Sequence, residues 1–376
     1  MRLLVLLTDL LDSVGGIQTF GRCLVKALDE IARKNGWKIT LLVLNDSLRH
    51  RDAHRYFDSH TTDYRPFDGN KTQFIGAALR ESRTASLAII GHVHFTPLCL
   101  ALPFLKPSIR ILVVVYGMEV WKRLTLLQRS GLTRAAKILS ISNYTAERMM
   151  AHNNLDRGRF DILPCSLDPY YGTAAQSKSR TALSLPAGKM ILSVARLDPS
   201  EQKGIDHVIE TLPMVLREVP NAFFVVLGDG PDRPRLEQLA NRKGMCRHII
   251  FAGRVQDEVL QAYYEACDVF VLPSLLEGFG IVFLEAMHRG KPCVGVRAGA
   301  VPEVIIDHET GLVTEPGDRE ALAKALVRLL SDESLAKAMA EAGKDRVDRN
   351  FSYRIFQERV EAKLRRAIGP RVPRSA

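Results

Sequence analysis

No apolar run in this chain is both long and clean enough to cross a bilayer as a helix. The most hydrophobic window, residues 87–105, is broken by His92, His94 and two prolines. The opening Met1-Arg-Leu-Leu-Val-Leu-Leu meets Thr8-Asp9 too soon for a signal peptide, and a buried first strand explains it better. The six cysteines (Cys23, Cys99, Cys165, Cys246, Cys267, Cys293) form no C-x-x-C pair and no zinc-spaced Cys/His cluster. They read as reduced core thiols of a cytosolic protein. No Gly-x-Gly-x-x-Gly opens a helix with an acid suitably downstream, which disfavours a dehydrogenase. No basic run is interleaved with aromatics, which disfavours nucleic acid as a partner. Repeats and low-complexity tracts are missing too, so neither a solenoid nor a disordered chain is supported.

What is there suits a large globular protein. With 376 residues, 46% of them hydrophobic, the chain can bury two full cores, and its length favours two domains. The net charge of +10 is lopsided. Residues 1–170 carry 23 Lys and Arg against 15 Asp and Glu, whereas residues 171–376 carry 29 against 27. A basic first half suits an anionic membrane surface, worth about 1 kcal/mol per well-placed base, or it is ordinary solubility charge. Both readings stay open.

Strand-like apolar runs alternate with helical patterns over 3–7, a helix near 19–35, 40–44, 87–90, 111–115 and 137–140. Residues 168–189 lose the pattern and read as an interdomain linker. A second series follows at 190–194, 222–227, 249–252, 269–272, 293–296 and 311–313, then a helix over 353–367 and a Pro/Arg tail expected to fray. The fold class expected is α/β, two Rossmann-like doubly wound domains over 1–170 and 171–351. Ligands of such sheets sit at the carboxyl ends of the strands, and two sheets in series can present those ends across a central cleft.

Chemistry concentrates in Pro273-Ser-Leu-Leu-Glu277-Gly278-Phe279-Gly280-Ile281-Val-Phe-Leu-Glu285. A helix starting near Gly280 leaves Glu277 in the preceding loop and puts Glu285 about a turn and a half inside. The two carboxylates then reach different parts of one extended ligand. Glycines on either side of Phe279 let backbone N–H groups approach closely, and the helix start offers a positive dipole end to a diphosphate. After the strand at 190–194, Arg196 can fork onto phosphate oxygens and Lys203 adds a point charge. A glycosyl diphosphate leaves as an anion, so two fixed cations favour the transition state over the ground state. No Asp-x-Asp lies nearby, and no metal is expected. Gly228-Asp229-Gly230-Pro231 is a turn signal. Asp12-Ser-Val-Gly15-Gly16-Ile-Gln18 joins the first strand to the first helix, with two glycines that allow close approach to a phosphate or sugar. Glu285 alone reads equally well as a salt-bridged structural residue; its company argues for a site.

Together these residues resemble the family 4 retaining glycosyltransferases (glycosyl transferases group 1) of GT-B fold. Glu277-Gly-Phe-Gly with Glu285 matches the family's E-x7-E motif, Arg196 with Lys203 its phosphate-binding pair, and Gly15-Gly16 its N-terminal loop. Gly228-Asp-Gly-Pro and Gly311-Leu-Val-Thr-Glu-Pro-Gly-Asp318 also fit. The resemblance covers nearly the whole chain and is strongest over 190–320. It implies an acceptor-binding first domain, a donor-binding second domain and a terminal helix, about 352–368, packing back on the first. It implies that Glu285 binds the donor ribose, and that Glu277 binds hydroxyls of the transferred sugar with the backbone at Phe279 and Gly280, Gly278 and Ile281 also belonging to the donor site. Arg196 and Lys203 would hold the diphosphate, Gly15, Gly16 and Gly228 would border the donor, and Gly253-Arg254-Val255 would lie along the base. Retention is commonly explained by same-face attack in which the leaving phosphate deprotonates the acceptor, with double displacement through Glu277 as the rival.

The chain also departs from the family pattern. Many relatives carry a His after the strand at 111–115, where this chain reads Tyr116-Gly-Met-Glu119-Val-Trp121. Tyr116 can hydrogen-bond a sugar but does not titrate like His, and His94 is placed to share the role. The candidate catalytic set is therefore Glu277, Tyr116, His94, Arg196 and Lys203. Leu163-Pro-Cys165-Ser166 replaces the usual Asn-Gly, and Ala298-Gly299-Ala300 has Ala for one expected Gly. Trp121-Lys-Arg with Leu126, Leu127 and Arg129 reads as an ordinary helix or as a basic amphipathic membrane surface. The expected function is retaining transfer from a nucleotide diphosphate-sugar donor to a saccharide or lipid-linked acceptor in cell-surface polysaccharide or glycolipid synthesis. The protein would be cytoplasmic, in peripheral contact with an anionic membrane. Its rivals are a soluble transferase with a small acceptor and a nucleotide-sugar epimerase.

Overall fold

Each of the two series of apolar runs closes into one parallel sheet. The computed structural model describes residues 1–47, 55–172 and 183–369. The tail at 370–376 and much of the expected linker lie outside the described residues. The chain divides into two units, Met1–Pro169 with Ser352–Ala376, and Tyr170–Phe351.

The first unit's strands are β1 (Arg2–Leu7), β2 (Lys38–Val43), β3 (Thr62–Pro66), β4 (Leu87–Ile90), β5 (Arg110–Val115), β6 (Lys137–Ser140) and β7 (Phe160–Ile162). They pair in the order β3-β2-β1-β4-β5-β6-β7, every pair parallel. Leu3 to Leu7 and Ile111 to Val115 are no more than 2% exposed, which is why both read as unbroken apolar runs: helices cover both faces of the sheet. The strand order turns back between β1 and β4, so a crevice opens at their carboxyl ends. The helix Tyr353–Ile368 belongs to this unit. Its Phe356 meets Phe20 edge-on at 5.4 Å, and Tyr353 and Gln357 both donate to Glu30 at 2.7 Å.

The second unit has β8 (Lys189–Val194), β9 (Ala222–Leu227), β10 (Ile249–Gly253), β11 (Val269–Val271), β12 (Cys293–Val296) and β13 (Gly311–Thr314). The order is β10-β9-β8-β11-β12-β13, again all parallel, with its turning point between β8 and β11. One sequence expectation needs correcting. Five cysteines are buried free thiols, but Cys246 is exposed, on the connection that leads into β10.

Candidate functional site

The loops leaving β8 and β11 are fastened to each other across the turning point of the second sheet. The Ser193 hydroxyl donates to the Val271 carbonyl at 2.5 Å, and the Leu275 N–H donates to the Gln202 carbonyl at 3.0 Å. Gly204 holds φ at 73°, and a Cβ there would lie 2.2 Å from the Pro273 oxygen, so only glycine fits. This close approach brings Lys203 Nζ to 3.2 Å from Glu277 Oε2, with the two side chains 18% and 13% exposed. From the β12 side, Gly299 supports the same loop: its φ is 57°, and a Cβ would lie 2.4 Å from the Glu277 oxygen. Ala300 N–H donates to that oxygen at 2.9 Å.

Gly280, left-handed at φ 94°, caps the helix Ile281–His288 with no side-chain cap and no acid in the first turn. The helix Gly16–Asn35, capped by Gly15, shares that absence of cap and acid. Orphan N–H groups and a positive dipole end are what an anion needs. Phe279 turns its ring inward, 3% exposed and edge-on to Phe351 at 5.6 Å, so only its backbone can meet a ligand. Gly278 and Ile281 on either side are half-buried.

Glu285, on the same helix, is half-buried, and its Oε2 accepts the Tyr264 hydroxyl at 2.8 Å. Tyr264 is fully buried, and desolvation first, then the Glu285 charge, hold its phenol well above the usual value. It therefore stays a proton donor to the carboxylate. Sequence reasoning missed Tyr264, because a tyrosine on the buried face of an amphipathic helix reads as core.

Arg196 is 68% exposed, 3.5 Å from Asp198, whose carboxyl is held low by hydrogen bonds from Ser200. Gly228 and Gly230 shape the loop that carries Arg196. At φ 120° and 157°, their Cβ atoms would come within 1.9 Å of the Ala195 oxygen and 2.2 Å of the Leu197 oxygen. Gly228, expected to border the donor, donates its N–H to the Gly253 oxygen at 2.8 Å and so ties its turn to the end of β10. Val255, just past β10, is half-buried.

In the first unit, the loop from β1 to Gly15 and Gly16 is organised by a residue that carries no motif. Asp46 is fully buried, and its carboxylate accepts Leu10 N–H and Leu11 N–H at 3.0 Å and the Tyr64 hydroxyl at 2.9 Å. After β4, His92 is 8% exposed and its Nδ1 accepts the His94 N–H at 3.2 Å. Burial, then His94, lower the His92 pKa to about 4, so it is neutral at pH 7. His94 is exposed beside it, with ring centroids 4.5 Å apart. After β5, Tyr116 is only 4% exposed, between Phe20 and His92, and burial raises its phenol. Glu119 turns inward, accepting Tyr116 N–H at 2.6 Å and Gly117 N–H at 2.8 Å. Tyr116 and Glu119 thus build the wall of this loop, and His94 is the member of the group that reaches solvent.

Two family models match the chain: Glycosyl transferases group 1 over residues 176–346, and Glycosyltransferase Family 4 over residues 14–170. A GDP-mannose-dependent alpha-(1-6)-phosphatidylinositol monomannoside mannosyltransferase of Mycolicibacterium smegmatis is 31% identical over 67% of this chain and 69% of its own length. A GDP-mannose-dependent monoacylated alpha-(1-6)-phosphatidylinositol monomannoside mannosyltransferase of Corynebacterium glutamicum is 27% identical over 95% and 96%. Among solved structures, HepE of Anabaena in complex with UDP superposes with a TM-score of 0.79 at 18% identity, covering 97% of this chain and 99% of that one. That likeness shows the fold: two Rossmann-like domains of GT-B type.

Proposed function

This chain belongs to the group 1 glycosyl transferases, and from that membership we propose that it moves a sugar from a nucleotide diphosphate donor to a membrane glycolipid with retention at the anomeric carbon. The observation that carries the reading is the meeting of Lys203 and Glu277 across the β8/β11 turning point, beside the uncapped helix that bears Glu285. Glu285 takes the ribose, and the N–H groups at Gly278, Gly280 and Ile281 with Lys203 and Arg196 take the diphosphate. Glu277 takes hydroxyls of the transferred sugar, and the main chain at Val255 takes the base. The diphosphate charge is met by these cations and the helix end, so the reading calls for no metal.

GDP-mannose is the donor we assign, and a phosphatidylinositol mannoside-like lipid the acceptor class, because the relatives with those substrates match over two thirds or more of the chain. As the C1–O bond to the diphosphate breaks, Lys203 and Arg196 stabilise the leaving anion, and a phosphate oxygen takes the acceptor's hydroxyl proton as the new C1–O bond forms on the same face. Glu277 is held by Lys203 beside the helix start, which suits orienting the sugar better than attacking it. His94, exposed at the end of β4, is placed to bind the acceptor.

A thermal-shift series with GDP, UDP and ADP tests the donor half. GDP is expected to raise the midpoint most, and the Glu285→Ala variant to lose the shift. No shift with any nucleotide would remove the donor-site assignment.

A further inference from the structure

Between Glu81 and Glu147 the sequence carries eight Lys and Arg and a single acid, Glu119. That carboxylate is turned inward onto the N–H groups of Tyr116 and Gly117. The outer surface of the stretch is therefore positive, with no acid of its own to neutralise it.

Within it, residues 118–127 are fastened from below and apolar on top. Trp121 and Leu124 are 7% and 5% exposed. The Trp121 indole donates to Thr145 Oγ1 at 3.2 Å, Leu124 N–H donates to Asn153 Oδ1 at 2.8 Å, and Asn153 Nδ2 donates to the Lys122 carbonyl at 3.2 Å. Lys122 and Arg123, between these anchors, face solvent, and neither makes an ion pair among the described residues. Thr125 and Gln128 then form a capping box that fixes the start of the helix Leu126–Thr133. The inner side of that helix is docked, since a Cβ on Gly131 would lie 1.9 Å from the Thr96 oxygen. Leu126 and Leu127 are left 77% and 56% exposed in its first turn, with Met118 at 42%. Core packing does not account for two leucines held rigidly in water next to two unpaired cations.

We propose that Met118, Lys122, Arg123, Leu126 and Leu127 dock the first unit onto an anionic phospholipid bilayer, the leucines entering the acyl boundary and the two cations sitting among the headgroups. A second copy of the chain is a poorer fit, because a two-fold contact would set Lys122 and Arg123 against their own equivalents with no acid between. The surface lies on the segment just after β5, and β5 pairs with β4, whose carboxyl end leads to His94. Docking there would bring a lipid-anchored acceptor to that loop. The inference rests on the glycolipid-acceptor reading, and it is tested by an experiment that does not depend on catalysis.

The test is flotation of the full chain with vesicles of phosphatidylcholine alone or with added phosphatidylglycerol, at low and high salt. The wild type is expected to float with the anionic vesicles, less so at high salt, and to stay behind with the neutral ones. The Lys122→Glu/Arg123→Glu variant should lose binding by about tenfold or more, and Leu126→Ser/Leu127→Ser should lose what survives at high salt. Each variant must keep the wild-type melting midpoint and GDP shift, which separates this outcome from a fault in the fold or in the donor site. Flotation equal for all variants, or absent for the wild type, overturns the proposal. So does a wild-type dimer that the leucine variant turns into a monomer, because a second copy would then cover the patch.

Discussion

A carboxylate is useful to a ligand only if something holds it still, and at Glu285 that something is the Tyr264 hydroxyl, 2.8 Å from Oε2. In Tyr264→Phe the packing is kept and this one bond is lost. A hydrogen bond to a charged group contributes about 1.5–3 kcal/mol, so GDP affinity by calorimetry is expected to fall roughly tenfold or more. Affinity for 2′,3′-dideoxy-GDP should barely change, because the bond acts through the ribose hydroxyls; an equal loss for both nucleotides would make Tyr264 a packing residue only. His92 gives a pH dependence of definite sign. Its folded pKa of about 4 lies below the ordinary 6.5, so between those values the unfolded chain binds more protons. Stability is therefore lost as pH falls from 6.5 towards 4, by up to about 3 kcal/mol from this group. Urea melts of His92→Gln at pH 7 and pH 4.5 should show a correspondingly smaller drop than the wild type.

At the scale of elements, the loop carrying Arg196 depends on glycines far away in sequence. Gly228→Ala would press a Cβ to within 1.9 Å of the Ala195 oxygen at a φ of 120°. The variant should melt several degrees lower and lose most of its GDP shift, whereas Gly244→Ala, also at positive φ but in open space, should lower the midpoint and keep the shift. The central strands were legible because burial on both faces leaves a continuous apolar run, and the ranges 87–90, 137–140, 222–227 and 293–296 come out as expected. The edges of the first sheet were not, although those of the second, at 249–252 and 311–313, were. β3 reads Thr-Asp-Tyr-Arg-Pro, polar because one side of it is free and ending in a proline that an edge tolerates, and β7 is only three residues long. The supports of the candidate site were hidden for a related reason. Asp46, Tyr264 and Gly299 act through contacts with residues distant in sequence, and no spacing rule records such contacts.

At the scale of the whole molecule, the terminal helix closes the first unit although 182 residues of the second intervene, from Tyr170 to Phe351. Its amphipathic pattern was readable, but its docking partner Glu30 was not, since nothing local to either segment names the other. Function was legible from the second unit more than the first, because glycines, cations and carboxylates cluster there at fixed spacings. In the first unit Tyr116 and Glu119 look chemical in sequence, and the structure buries the first and turns the second inward onto its own loop, which no spacing records. The measurement that tests the proposed activity most directly is incubation of the full chain with GDP-mannose and phosphatidylinositol mannoside in anionic vesicles, followed by NMR of the product's anomeric carbon. The expected result is a new mannosyl linkage with the α configuration of the donor, absent with Glu277→Ala. A β linkage, or hydrolysis of GDP-mannose with no lipid product, would contradict a retaining glycolipid transferase.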